Sequence, residues 1–478
     1  MGRKSLFALG LFVVFLSLLF IRFSSIEVKA PNGVRVWNID TGLYYTSIQE
    51  AINANETLDG HSIFLVISEI FYEHVVVNKS ISLRGATPLP LGEIPIINGN
   101  GTGTVVTIEA DNVMLDSLNI TSGVNGVALE DSDNCSLGLA TGLWVIDNSE
   151  TGVYLHNSRN CTIKWLETRG NKYNFGVEGS SLEHFSHEVV SSTADGKPIC
   201  YLTDKQNINV ADGVGYIAVV NCTYITIENQ SLTHNHQGIM LAYTNKSVIR
   251  NNMVTNNLYG IYLQESDNNT FYHNNLINNI HQVRLEVSDN YWDSGVEGNY
   301  WSDYTGVDLD PDGMGDTPHI VDANNMDNYP LMGMFYDFSV RMLPEDEVYR
   351  VQVISNSSVR DLGVYGWLTS PNEWLQPGQT FIQFLVEGEE HTTGFCRIVI
   401  PRDVVNGTSY TVLVGWNSVS VEELAISNST HACLYFTYQH SEHEVIIVPE
   451  FPPMLILPLS MITTLLATLL YRRKSERN

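Results

Sequence analysis

Between residues 221 and 285 the chain alternates apolar and polar positions in short runs, and the runs repeat. The phrases HNHQGIML (234–241), NNLYGIYL (256–263) and NNIHQVRL (278–285) are separated by steps of 22 residues. This step aligns Asn235, Asn257 and Asn279, and it places Gly238-Ile239 in register with Gly260-Ile261. Alternation over a few residues predicts strands, and the Asn/Gly clusters between them predict turns. No amphipathic helix fits within one unit. A fixed period with short strands and tight corners predicts a solenoid of parallel β-strands, in which each coil buries its apolar face against its neighbours. Asn at one place per coil suits that fold, because stacked amides can bond along the ladder and Asn tolerates a left-handed corner.

The same texture extends upstream. TSIQEAI (46–52) predicts a short helix start, and SIFLVISEI (62–70) and EHVVVNKSISLRG (73–85) predict strands. Coils continue through 104–121, GVALEDSDNCSL (126–137) and GVYLHNSRNCTI (152–163). The rhythm breaks over 178–213, which reads as an insertion or an enlarged turn, and it returns over 215–287. Residues 290–335 are rich in Gly, Asp and aromatics and have no period. Longer alternating strands then fill 336–447 and predict a small β-sandwich. The expected fold is all-β: a right-handed parallel β-helix over 31–289, the Asp/Gly/aromatic segment, the sandwich, and a linker at 448–453.

Two apolar segments set the expected address. Residues 6–21 follow Arg3-Lys4, so 1–30 reads as a signal peptide or an uncleaved anchor. Residues 454–471 carry no charge, and eighteen residues at about 1.5 Å each approach the thickness of a bilayer core. Arg472-Arg473-Lys474 within the tail 472–478 then gives a stop signal with its basic end in the cytoplasm. A transmembrane helix at the C-terminus and an extracellular body follow from this order. The net charge of −28 opposes binding to nucleic acid or anionic lipid.

Thirteen Asn-x-Ser/Thr triplets permit glycosylation outside the cell. Burial of ladder asparagines predicts that most stay unmodified. Cys135, Cys161 and Cys222 occupy matching phrases and read as stacked core thiols. Cys396 and Cys433 lie on separate apolar runs, where a disulfide is one of two open readings.

The strongest chemical motif is Asp308-Leu-Asp310-Pro-Asp312-Gly313-Met314-Gly315-Asp316. Alternate carboxylates with Gly at position six match the start of an EF-hand-type calcium loop, with a backbone carbonyl from Met314. Position twelve is His319 rather than Glu. A structural calcium is therefore expected, with modest affinity unless Asp303, Asp322 or Asp327 joins. His234, His236, His273 and His281 share no ladder position, so copper is not expected; His236 reads as an inward core residue. Tyr154, Tyr259 and Tyr262 read as outward aromatics that can stack on sugar rings. Asp131, Asp133, Glu178 and Glu183 read as outward acids, but Asp-Pro-His-Asp, Asn-Thr-Asp and Gly-His-Gly signatures of epimerases and polygalacturonases are missing.

The opening helix and coils resemble secreted β-helix proteins of the pectate-lyase-like superfamily. The phrases GKPICYL, NCTYITIENQSL, NNLYGIYL and GNYWSDYTG…DGMGDTP…DNYPLM resemble the NosD-like family over residues 46–332. That resemblance implies copper delivery for the family's founding members, and surface roles for many relatives. The ending VPEFPP-apolar-YRRK resembles the Pro-Glu-Phe sorting segment of archaeal surface proteins. The expected function is a membrane-tethered surface protein that binds extracellular polysaccharide or surface proteins without catalysis. The alternatives are a polysaccharide lyase or epimerase, and a copper accessory protein.

Overall fold

The computed structural model describes residues 35–66, 69–86, 94–342, 346–366 and 380–450. The expected signal or anchor at 1–30 and the expected membrane helix and basic tail at 454–478 lie outside these residues. Among the described residues no helix is long and apolar enough to cross a membrane.

The described residues are all-β apart from one short α-helix and a single 3-10 turn. The helix, Ile48–Asn53, starts at Ser47, whose hydroxyl accepts from the Glu50 N–H at 3.1 Å. The Glu50 carboxylate returns to the Thr46 N–H, so two free donors at the helix start are satisfied together. Ile48, Ala51 and Ile52 are buried in the core of the first coils. The helix thus closes an end that would otherwise be an open edge.

A parallel β-solenoid follows over 62–301. Its corners are left-handed: His234, Asn256 and Asn278 all have φ between 53° and 57°. The next residue of each corner, Asn235, Asn257 and Asn279, turns inward. The Asn257 carboxamide oxygen accepts from the Asn235 N–H at 2.9 Å, and the Asn279 oxygen accepts from the Asn257 N–H at 3.0 Å. The Asn257 amide nitrogen also donates to Asn279 Oδ1 and to the Leu232 carbonyl. Parallel ladders run through Asn252, Asn274 and Asn299, and through Asn269, Asn290 and Asn325. Gly238 and Gly260 recur because a Cβ on either would lie within 2.7 Å of a carbonyl oxygen on the next coil.

One β-helix over 31–289, broken by an insertion or enlarged turn at 178–213, was expected; the break is instead a reversal that divides the solenoid into two stacks. Thr193–Ala194 pairs antiparallel with Lys197–Thr203. Asp195 and Gly196 make the turn with φ of 48° and 75°, the two positive values a two-residue hairpin needs. Strand direction therefore reverses at the expected break. Lys197–Thr203, Tyr216–Val220, Gln237–Ala242, Tyr259–Gln264 and His281–Glu286 form one parallel sheet beyond it. On one face of this sheet Ile217, Val219, Ile239, Leu241, Ile261 and Leu263 fill the second stack. On the other, Tyr216, Ala218, Val220, Met240, Ala242 and Tyr262 join the core of the first. Coverage on both faces explains the unbroken apolar runs YIAVV and GIMLA.

Two five-stranded antiparallel sheets follow, and their inner faces share one buried core. The last strand, His443–Glu450, runs through the first three residues of the expected linker and pairs Ser409 with Glu450. Pro449 is accommodated because it lies beyond Ile447, the final residue paired with Thr380–Glu387. Cys396 sits in the shared core, whereas Cys433 has the opposite parity to its core neighbours Ala432 and Leu434. The two thiols occupy opposite faces of one sheet, so the disulfide reading is excluded; both are free.

The amide ladder gives a stability prediction. Asn257→Leu orphans the Asn235 N–H and the Leu232 carbonyl, at about 1–3 kcal/mol for each buried group. The urea midpoint should fall accordingly, and an unchanged midpoint would show that the ladder contributes nothing.

A cleft at the joint between the two stacks

The reversal leaves a cleft of about 400 Å³ where the second stack meets an outer face of the first. One wall comes from Asn125–Glu130, Thr151–His156 and Tyr173–Glu178. Their register stacks Ala128, Tyr154 and Gly176 in one row and Glu130, His156 and Glu178 in the next. The opposite wall carries His236, Leu258 and Tyr259. Gly176 is what lets the walls meet, since a Cβ there would lie 2.4 Å from the His236 Cβ.

The polar groups of the cleft are bonded to one another across 106 residues of chain. Arg284 donates from Nη1 to Glu178 Oε1 at 2.9 Å and from Nε to Glu286 at 3.2 Å. Its guanidinium lies over the rings of Tyr259 and Tyr262, 5.1 and 5.0 Å from their centroids. His236 Nδ1 is 3.6 Å from Glu178, and its ring is 4.8 Å from that of Tyr154. Burial pushes the His236 imidazole down to about 4, against the pull of Glu178 and helped by Arg284. Burial and the neighbouring Glu178 carboxylate hold the Tyr154 phenol well above its ordinary value. At neutral pH the cleft thus holds a neutral imidazole beside a protonated phenol. At its rim His156 Nδ1 lies 2.9 Å from Glu130, and His281 stacks on Tyr259.

Of the three expected sugar-facing tyrosines, Tyr154 and Tyr259 are half-buried and line this cleft. Tyr262 is not available: it is 1% exposed, packs against the first stack and donates to Gln264. Alternation reads it as outward, but outward from the second stack is inward for the first. His236 is buried at 9% exposure, in the joint rather than within a coil. Glu178 faces the cleft, while Asp131 is exposed at a corner and Asp133 pairs with Arg159. Glu130, His156 and Arg284 were not singled out from the sequence. Nothing in the repeat relates Arg284 to Glu178, because only the reversal brings them together.

In the 290–335 segment, carboxylate oxygens of Asp308, Asp310 and Asp316 lie within 4.8 Å of one another. Asp312 is not part of this group and accepts from the Met314 N–H at 2.9 Å. Burial and neighbouring acids push the Asp308 carboxyl up. His319 stacks on Trp301 instead of reaching the loop. Asp327 is also elsewhere, buried beneath Trp301 Nε1 and the Asn299 N–H and pushed up to about 6 by desolvation. Asp322 caps Asn324 and Asn325.

Residues 106–306 match the family described as periplasmic copper-binding protein (NosD). The matched stretch, nearly all of it within the solenoid, is similar to that family. A 107-residue stretch is 32% identical to a cell surface glycoprotein of Methanothermus fervidus, covering 22% of this chain. The chain spans 17% of the length of that relative. Among solved structures, an alginate lyase from Paenibacillus sp. is 13% identical with a TM-score of 0.29, covering 53% of this chain and 94% of its own. The mannuronan C-5 epimerase A-module of Azotobacter vinelandii is 13% identical with a TM-score of 0.26, covering 51% and 74%. Likeness at this level carries nothing about chemistry. As for copper, His234 lies beside Asp195, His236 in the cleft, His273 against Glu297 and His281 on Tyr259. Among the described residues the gathered donor set is Asp308, Asp310 and Asp316, all hard oxygens that suit copper poorly.

The His236 environment predicts an acid-dependent stability. Unfolded, the imidazole takes a proton near 6.5; folded, it does so only near about 4. Between these values the unfolded chain holds more protons, so stability falls as pH falls. Two and a half pH units correspond to roughly 3 kcal/mol. His236→Gln should therefore lose less stability than the native protein between pH 7 and pH 4 in paired thermal melts. Parallel losses would mean that His236 does not carry this linkage.

Proposed function

We propose that this is a cell-envelope protein whose joint cleft binds saccharide without cleaving it. The observation that carries the reading is the placement of Tyr154 and Tyr259 on facing walls, among Glu130, Glu178 and His236. Aromatic faces pack against the C–H face of a sugar ring, and the surrounding carboxylates and imidazole bond its hydroxyls. The likenesses to a surface glycoprotein and to a periplasmic family support the envelope location. The solenoid is the right-handed parallel β-helix of the pectate-lyase-like type, and the two terminal sheets form a sandwich beside the membrane. The apolar stretch 454–471 and the basic residues after it would tether the chain at its C-terminus.

One observation favours a second reading, a polysaccharide lyase or epimerase. A neutral His236 next to a protonated Tyr154 offers a base and an acid at one place. Against it, Glu178 and Arg284 are committed to each other. A glycan array with a soluble fragment of residues 31–450, which keeps the last strand whole, separates the two. Retention without turnover is expected, with at least tenfold weaker retention for Tyr154→Ala plus Tyr259→Ala. Turnover abolished by His236→Gln would replace the binding reading with the enzymatic one.

We further propose that Asp308, Asp310 and Asp316, with the Met314 carbonyl alongside, hold a structural calcium. Mutual repulsion of three gathered carboxylates is what a divalent cation would relieve. Calcium at about 100 times its dissociation constant would add roughly 2.7 kcal/mol. Calcium should raise the melting temperature of the native protein but not of Asp310→Asn plus Asp316→Asn. Equal responses would remove the metal from the loop.

A further inference from the structure

The ladders separate the asparagines of this chain into two populations that the sequence does not distinguish. The inward ladder residues Asn235, Asn257, Asn279, Asn252 and Asn274 are buried, and none of them begins an Asn-x-Ser/Thr triplet. Of the thirteen triplet asparagines, Asn119 and Asn245 are half-buried and the other eleven are exposed. The expectation that burial protects most triplets is therefore reversed.

The reason lies in the corner. Asn134, Asn160, Asn221, Asn229 and Asn268 have φ between 50° and 58° and turn their side chains to solvent. The residue after each, Cys135, Cys161, Cys222, Gln230 or Asn269, is at most 2% exposed and fills the coil. The Ser or Thr after that opens the next stretch with its side chain outward again. Both recognised members of each triplet thus face the same side, with the buried member between them. Two of the five are otherwise engaged: Asn160 donates to Asn134 Oδ1 at 2.8 Å and Asn221 to Asp204 at 2.6 Å. The side-chain nitrogens of Asn134, Asn229 and Asn268 have no hydrogen-bond partner among the described residues.

We propose that Asn134, Asn229 and Asn268 are N-glycosylation sites, and that Asn119 is not one. The donor is an oligosaccharide linked through phosphate to a lipid carrier. The Asn nitrogen forms a bond to C1 of the first sugar while the C1–O bond to phosphate breaks. The bonding pair leaves on the lipid phosphate, and the amide proton passes to a base of the transferase. Asn119 instead lies within the paired strand Leu118–Thr121, half-buried and with its carboxamide oxygen enclosed, so its side chain is less open to the transferase than those at the exposed corners.

Glycopeptide mass spectrometry of the full chain purified from its own cells tests this directly. The expected result is glycan on Asn134, Asn229 and Asn268, with Asn119 bare. Ser231→Ala should remove the Asn229 glycan alone, leaving the circular dichroism spectrum and the other two glycans unchanged. Bare Asn134, Asn229 and Asn268, or an Asn119 occupied as fully as they are, would overturn the assignment.

Discussion

Each coil of this protein must turn a corner whose backbone N–H points into an apolar interior. At many corners of the second stack an inward asparagine after the left-handed residue (Asn235, Asn252, Asn257, Asn269, Asn274 and Asn279) meets that demand. Its carboxamide oxygen accepts from the coil before, and its amide nitrogen donates to the next asparagine and to a strand carbonyl. A buried amide leaves donors on one side and acceptors on the other, so one amide requires the next. The row ends only where a different group accepts the last donor: Gln282 beneath Asn279, and Asp327 beneath Asn299. Asp327 is costly to bury as an anion, and its elevated pKa reflects that cost. The non-repeating segment that supplies Asn325 and Asp327 is thus the terminus the ladder needs.

The joint obeys a different rule. A hairpin reverses the strands, and a sheet that would have faced water on one side becomes an internal wall. Close contact there is permitted by Gly176 and fixed by the exchange between Gln237 and the Val177 backbone, 3.3 and 3.0 Å. Polar side chains caught at the margin pair across the seam, and the cleft is the part of that seam left open. A comparable seam joins the second stack to the terminal sheets. Arg397, 2% exposed, reaches Glu297 at 2.6 Å, and Glu297 bonds His273, which stacks on Phe335.

The sequence revealed what repeats and concealed what does not. The 22-residue step placed Asn235, Asn257 and Asn279 on one ladder and Gly238 beside Gly260, because every unit sees the same surroundings. The helix cap was legible too, since Ser47 and Glu50 are local partners. Tyr262 was misread, and His236 was read as buried but not as part of the joint, because alternation reports inside and outside of one stack only. The partnership of Glu178 with Arg284 was invisible, as it depends on a reversal signalled by just Asp195-Gly196. The acidic loop was visible as a motif, with Asp308, Asp310 and Asp316 among its expected ligands, but the sequence could not show that Asp312 would turn aside to the Met314 N–H.

The two stacks differ in one further respect. In the first, successive coils are offset by 21, 26 and 22 residues along one face. In the second, the spacing is 22 for every pair from Gln237 to Glu286. A unit whose donors and acceptors match those of its neighbours can be duplicated or lost without leaving any partner unmet. The second stack is therefore a tandem array along its ladders but not along the joint, where Gln237, Tyr262 and Arg284, on successive coils, each meet a different partner on the first stack. In the first stack, removing one of its coils would misalign the wall that carries Tyr154 and Glu178. The cleft, walled by Tyr154 and Glu178 on one stack and by His236 and Tyr259 on the other, thus holds both halves of the solenoid to a fixed number of coils.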